Sequence, residues 1–254
     1  MPIDNRGPGR VRLENANKGP LRTLGFLFIE TYQGALYFLS FLPLVLVLGY
    51  FKRAHPAMLL AVVIAGCYFA GLVFLLLVVT AKKILTGHFD ADEVVTIHTR
   101  SGKQFFFASM LHGIMQASPF RALICGFSPL TSYYYRAIGA KMAPTVFISS
   151  GARIFDPWFV EIQDNATIGA DAVITGHIGD GPQIILGRVF VGEGAIVGAR
   201  SIIMPDVRIG RHARVGVGAV VVRGTVIPDG ETWGGVPARQ IAEKVKAAGA
   251  QAGA

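Results

Sequence analysis

His177 is the side chain in this sequence best placed to move a proton. It stands in Gly176-His177-Ile178-Gly179-Asp180-Gly181-Pro182, where flanking glycines let the backbone bulge away from a regular element. Imidazole titrates near neutral pH, so it can take a proton from a hydroxyl or amine attacking a carbonyl carbon. The plainer alternative is an exposed loop histidine. Asp156 and Glu161 bound an earlier stretch, Asp156-Pro157-Trp158-Phe159-Val160-Glu161. Either carboxylate could hold the imidazole tautomer or bind an amine, and either could be a solvated edge or a corner hydrogen bond. Asp180, nearer in sequence, could also orient the imidazole. Towards the end of the chain, Trp233 and Arg239 flank Gly234-Gly235-Val236-Pro237-Ala238. Arg200, Arg208, Arg211, Arg214 and Arg223 are expected at outer corners, where they suit a phosphate or an acidic protein, or simply solvate the surface.

Three patterns imitate other chemistry. His88-x-Asp90-x-Asp92-Glu93 has metal-ligand residue types but no clear ligand geometry, and no metal is expected there. Gly192-x-Gly194 imitates a dinucleotide fingerprint, yet no helix follows it. Cys67 and Cys125 lie in apolar contexts without metal-site spacing, as small buried hydrophobes do.

The frame for these residues is a period of six. Val191, Val197, Ile203, Ile209, Val215, Val221 and Ile227 place an aliphatic at every step. Glycine often comes next, at Gly192, Gly198, Gly210 and Gly216, and a small or β-branched residue follows four places on, from Ala195 to Thr225. Neither a 3.6-residue helix nor a lone alternating strand has this period. A β-solenoid does, each unit being one flat face plus a corner. Aliphatics point into the prism, and glycine is expected to turn the corner at positive φ. Three faces close a coil, and coils stack at about 4.8 Å. The pattern starts near Val146 with Ile148 and Ile154, then slips by two to Ile162, Ile168 and Ile174. From Ile174 to Ile185 is eleven where six is due, so five residues should leave the prism as a loop carrying His177, with hexads resuming at Ile185.

This run is similar to that of the hexapeptide-repeat acyltransferases, and the segment Gly234–Arg239 resembles their closing G-x-P-A-R; the likeness covers roughly residues 145–243. The resemblance implies a left-handed parallel β-helix, against the usual right-handed crossover. It implies a homotrimer with active sites between neighbouring prisms, and a pantetheine thioester, acyl-coenzyme A or acyl-carrier protein, as donor rather than a permanently bound cofactor. It makes His177 the general base, with Asp156 or Glu161 in support. Trp233 and backbone amides of the late coils, Gly216 and Gly218 among them, would hold the pantetheine arm, and Arg239 its phosphate. A zinc hydratase on the same solenoid would need three histidines around the coils, where only His177 and His212 lie in this one.

The elements ahead of the solenoid read as membrane helices. The chain has 254 residues, only 16% of them charged, with a mean hydropathy of +0.49 and a net charge of +8. That charge suits anionic lipid and an acidic cofactor or carrier, since no nucleic-acid reader is recognisable. Gly34–Phe51 and Pro56–Ala81 are apolar runs, each able to cross a bilayer core that needs roughly 20 residues, with Pro43 as a possible kink. Lys52, Arg53 and His55 make a short link. Basic flanks from Arg6 to Arg22, and Lys82 and Lys83, place both ends and the β-helix on the cytoplasmic side of a bacterial inner membrane. Phe105, Met110, Leu111, Ile114 and Met115 fall on helical spacing, and Ser128-Pro129 opens another helix that should stop at Gly139. These aromatic-rich helices suit a membrane interface or a cap on the solenoid. With the hairpin they resemble the membrane-embedded acyltransferase-like domains at the C-terminus of ε-poly-lysine synthetase.

The expected organisation is a basic tail (1–24), a transmembrane hairpin (25–83), an interfacial helical region (84–144), a β-helix (145–236) and a C-terminal helix and tail (237–254). The expected function is membrane-bound acyl transfer to a hydroxyl or amine of a membrane-associated acceptor. Amide formation from a carrier-bound acyl or aminoacyl group is the second reading, and a non-catalytic membrane scaffold the third. A scaffold has no reason to interrupt its repeat with a glycine-flanked histidine.

Overall fold

Two long helices lead into a helical collar, and the collar sits on the open end of a three-faced solenoid. The computed structural model describes residues 19–51, 53–86, 94–96, 98–124, 126, 128–181 and 183–241. The basic tail before residue 19, the His88–Glu93 cluster, Cys125 and the residues after Ile241 lie outside them.

Helix α1 spans Gly19–Tyr50 and α2 spans Pro56–Leu85. α1 therefore begins well before the apolar run at Gly34 and takes in residues 19–24, assigned to the tail from hydropathy. Helix continuity depends on backbone hydrogen bonds, and Pro20 sits in the first turn, where its missing N–H is harmless. Pro43 lies inside α1 without ending it. His55 caps α2, its Nδ1 accepting the Ala57 N–H at 3.3 Å. Both Leu27–Tyr50 and Pro56–Leu85 are long and apolar enough to cross a membrane. Most of their large side chains, such as Phe38, Leu46, Leu60 and Phe69, are exposed. One stripe of α2, with Phe74, Leu75 and Val78, is buried against the collar.

The collar comprises α3 (Arg100–Ala117), α4 (Phe120–Ile124) and α5 (Ser128–Ala137). Thr99 caps α3 by accepting the Gly102 N–H. Phe120 wedges between the long helices, its ring 5.2 Å from Phe74 and 5.5 Å from Phe41. α5 ends at Ala137, and the chain turns through Gly139 at φ +121° into the first coil. Tyr134, Tyr135 and Ile138 are buried there in one core with Ile148, Ile154 and Ile162.

Three parallel sheets form the faces of the prism. The first holds five strands, through Met142, Ile162, Val191, Ile209 and Ile227; the third holds four, through Ile154, Ile174, Ile203 and Val221. The second face stacks Ile148, Ile168, Val197, Val215 and Trp233, and its last strand (Thr232–Gly234) is closed by an antiparallel strand, Arg239–Gln240. The turn and strand at 235–240 replace the helix expected from Pro237, because the chain folds back onto its own last coil. The solenoid also starts earlier than residue 145, at Lys141–Met142.

The interruption is larger than its spacing suggests. Ile174 is followed on the next face by Val191, seventeen residues on, so eleven residues rather than five leave the prism. Ile185 is not a hexad position. It belongs to a hairpin, His177–Asp180 with Gln183–Leu186, extended by the strand Val94–Thr96 into a three-stranded antiparallel sheet.

Glycine also has a different role from the corner role expected of it. The left-handed position is three residues after each aliphatic, and Asp206 and His212 occupy it as well as Gly194 and Gly218. Gly192, Gly198 and Gly210, directly after the aliphatics, are required by close approach: a Cβ on Gly198 would lie 2.5 Å from the Val215 carbonyl oxygen of the next coil. Gly198→Ala should therefore lower thermal stability more than Gly218→Ala, which meets open space at φ +67° and costs only about 1–2 kcal/mol of left-handed strain. Equal melting temperatures in detergent would contradict this packing argument.

Candidate active site

Asp156 and His177 occupy the same edge of the prism, the corner from third to first face, on successive coils. Regular corners at this edge are short, as at Met204-Pro205-Asp206. The two above it are enlarged. The chain makes a single tight turn at Pro157–Phe159 on the upper one and throws out the hairpin on the lower. Gly176 is needed because a Cβ there would meet the Phe159 side chain at 2.9 Å.

The pair is joined by a 2.6 Å contact between His177 Nδ1 and Asp156 Oδ2. Oδ2 also accepts the Gly176 N–H at 2.8 Å and the Thr175 hydroxyl at 3.3 Å. Asp156 is fully buried, while 35% of the His177 side chain is exposed. A carboxylate can only accept, so Nδ1 carries the proton and the neutral imidazole keeps a bare lone pair on Nε2. The Phe105 ring from α3 stands edge-on to the imidazole at 5.3 Å. Burial pushes the His177 pKa down, but the hydrogen bond and charge of Asp156 outweigh it, and the net shift is upward from 6.5.

The other side chains singled out from sequence lie elsewhere. Glu161 sits between the inward Val160 and Ile162 on the first face, so strand alternation turns it outward, where it accepts from Gln163 at 2.7 Å. It lines a surface cleft of about 140 Å³ with Lys141, Arg188 and Trp158. Asp180 is at the hairpin tip, paired with Gln183 and roughly 10 Å of strand from His177. Arg208 and Arg214 lie on strands rather than corners, and Arg208 stacks on the Phe190 ring at 4.4 Å. Beside them is the larger cleft, about 470 Å³, which includes Arg211 and Asp229 but neither member of the buried pair. Trp233 and Arg239 are at the far end of the solenoid, bonded to Glu231 and the Ala238 carbonyl. The Gly216 and Gly218 N–H groups are engaged in coil-to-coil bonds to Trp233 and Ala199. Among the described residues, no three His, Cys, Asp or Glu side chains converge as metal ligands.

Two neighbours of the pair carried no sequence signal for a place beside it. His112, a lone histidine on an apolar helix, is fully buried; its only hint was a spacing of seven from Phe105, which puts both on one face of α3. Lys82, at the end of α2, lies over the Trp158 ring at 5.4 Å, joining the long helices to the turn that follows Asp156.

Comparison with known proteins agrees with this repeat. The bacterial transferase hexapeptide family (six repeats) matches residues 188–223. Delta-poly-L-ornithine synthetase of Acinetobacter baumannii is 29% identical over 114 residues, 45% of this chain and 8% of that one. Gamma carbonic anhydrase 1 of Arabidopsis thaliana is 31% identical over 123 residues, 43% of this chain and 40% of that one. Less than half of either relative's length is thus matched by this chain. A solved hexapeptide-repeat acetyltransferase of Vibrio cholerae, complexed with acetyl coenzyme A, aligns with a TM-score of 0.40 at 16% identity, over 65% of this chain and 97% of that one.

Replacing Asp156 by Asn should lower the His177 pKa, because burial then acts unopposed by the carboxylate. The sign carries over to stability. In the native protein the raised pKa stabilises the fold below about pH 6.5, and this contribution is lost as pH rises through the folded value. In Asp156→Asn it should vanish. Titration of the His177 ring by NMR, with chemical unfolding on both sides of neutral pH, checks both statements.

Proposed function

We propose that the protein transfers an acyl group from a pantetheine thioester, on coenzyme A or an acyl-carrier protein, to a hydroxyl or amine. The observation that carries the reading is the buried Asp156 carboxylate fixing the His177 tautomer, with Nε2 available. Nε2 removes the proton as the acceptor oxygen or nitrogen bonds to the thioester carbon. The carbon–sulfur bond then breaks, and the imidazolium returns its proton to the departing thiolate. The Asp156 carboxylate, bonded to Nδ1, stabilises the imidazolium that forms in between. The match of residues 188–223 to the bacterial transferase hexapeptide family supports this reaction class.

The acceptor in this reading is membrane-associated. Two exposed apolar helices suit a bilayer, and Lys82 and Lys83 in the last turn of α2 support a cytoplasmic solenoid side, in this reading at a bacterial inner membrane. The chain would act as a homotrimer. Val173, Ile202 and Val220 form an apolar outward column on the third face beside the site, with Ile202 40% exposed. A second reading, amide formation from a carrier-bound aminoacyl group, is favoured by the likeness to delta-poly-L-ornithine synthetase.

A panel of acyl-coenzyme A and acyl-carrier donors, assayed for free thiol in detergent, tests the reaction. Thiol should appear in step with ester or amide, and absence of release with every donor would remove the reading. His177→Ala should lower turnover by about 100- to 10,000-fold. His212→Ala, at an exposed corner of a regular repeat, should be nearly silent. Wild-type rate should rise with pH through an apparent pKa above 6.5, since only the neutral ring accepts a proton.

A further inference from the structure

We propose that His112 is a positioning residue for the Asp156–His177 pair, setting from the collar the height and direction of the corner that carries Asp156. The strand through Ile154 is the open edge of the third face. Its neighbours Arg153 and Phe155 donate to Ala172 and Ile174 in the coil below. In a parallel strand the intervening residue turns its N–H and C=O the other way, towards a coil that does not exist. The collar takes both groups. His112 Nε2 lies 2.8 Å from the Ile154 carbonyl oxygen, and the Tyr135 hydroxyl accepts the Ile154 N–H at 3.2 Å. Two residues further on is Asp156.

The tautomer of His112 follows from its partners. A carbonyl only accepts, so Nε2 carries the proton; Nδ1 is then bare and accepts from the Tyr134 hydroxyl at 2.6 Å. Complete burial lowers its pKa to about 4, so it stays neutral and adds no charge beside Asp156. One side chain thereby donates to the solenoid edge and accepts from α5, which no aliphatic could do. The same helix also touches the other member of the pair, because Phe105 lies two turns before His112 and packs on the His177 ring. α3 thus touches the His177 ring directly and, through Ile154, the strand that leads into Asp156. The charged or titratable groups that bear on it from the surrounding elements are Asp156, His112, Arg121 on α4, whose charge acts on His112, and Lys82 over Trp158.

The proposal borrows from the functional reading only the identity of the reacting pair, and its main readout needs no turnover. His177 is titrated by NMR in the full-length protein in detergent, for wild type, His112→Leu, His112→Gln and Tyr135→Phe. In His112→Leu the Ile154 carbonyl loses its donor, and the His177 pKa should fall towards the ordinary histidine value as the contact with Asp156 loosens. Gln places an amide N–H near the position of Nε2 and should restore the raised value. Tyr135→Phe removes only a hydroxyl, keeps the apolar packing, and should move the pKa the same way to a smaller extent; it decides the matter if His112→Leu does not fold. Where thiol release is measurable, His112→Leu should lower kcat by about 10- to 100-fold, with the donor KM unchanged. A wild-type His177 titration in folded His112→Leu, or in Tyr135→Phe alone if Leu fails to fold, would overturn the proposal. So would a Gln variant that behaves like Leu.

Discussion

A stack of parallel coils has to end, and where it ends it presents a row of backbone N–H and C=O groups with no further coil to pair with. In the interior each such group, left alone, costs about 1–3 kcal/mol. The first coil meets this constraint through side chains of the collar. Arg121 donates to the Gly151 carbonyl, His112 to that of Ile154 and Ser132 to that of Val146, and Tyr135 accepts from the Ile154 amide. The collar surface is otherwise apolar, with Met115, Tyr134 and Ile138 in one core with Ile148 and Ile154. Polar groups at a few fixed points in a hydrophobic contact set rotation and register as well as adhesion. The last coil solves the same problem with a strand of its own.

The enlarged corners depend on that fixed end. The turn at Pro157–Phe159 carries Trp158 and Phe159 outside the prism, where Phe159 joins Val95, Phe105 and Leu186 in a second, smaller core. Elements from three parts of the chain meet there: the segment after α2, the collar, and the hairpin. An imidazole on a bare loop would have no defined direction. Here its ring lies between an aromatic edge and a buried carboxylate, both on supports that are themselves packed.

The period of six was legible because each face repeats the same inward step, and a solenoid averages nothing out. The excursion was legible in place but not in size. Ile184 and Ile185 continue the aliphatic rhythm although they serve a hairpin, so hydropathy alone sees the prism resume too soon. The partner strand Val94–Thr96 is three residues long and gains its identity only from its neighbour. Asp156 could be suspected from the slip it sits in, but choosing it over Glu161 required knowing that Val160 and Ile162 point inward. The glycines were visible and their reason was not. Close approach between coils is a property of the stack, and a single unit does not contain it.

Regular coils in this chain are eighteen residues long, from Val191 to Ile209 to Ile227. All the irregularity is gathered at the collar end, above Val189. Inserting or deleting one whole coil below that point would leave every contact of the Asp156–His177 corner in place. It would move Trp233 and Arg239 along the axis by one strand spacing, about 4.8 Å. The lower solenoid is in this sense a ruler graduated in coils, whose length can drift without disturbing the geometry fixed at its zero mark.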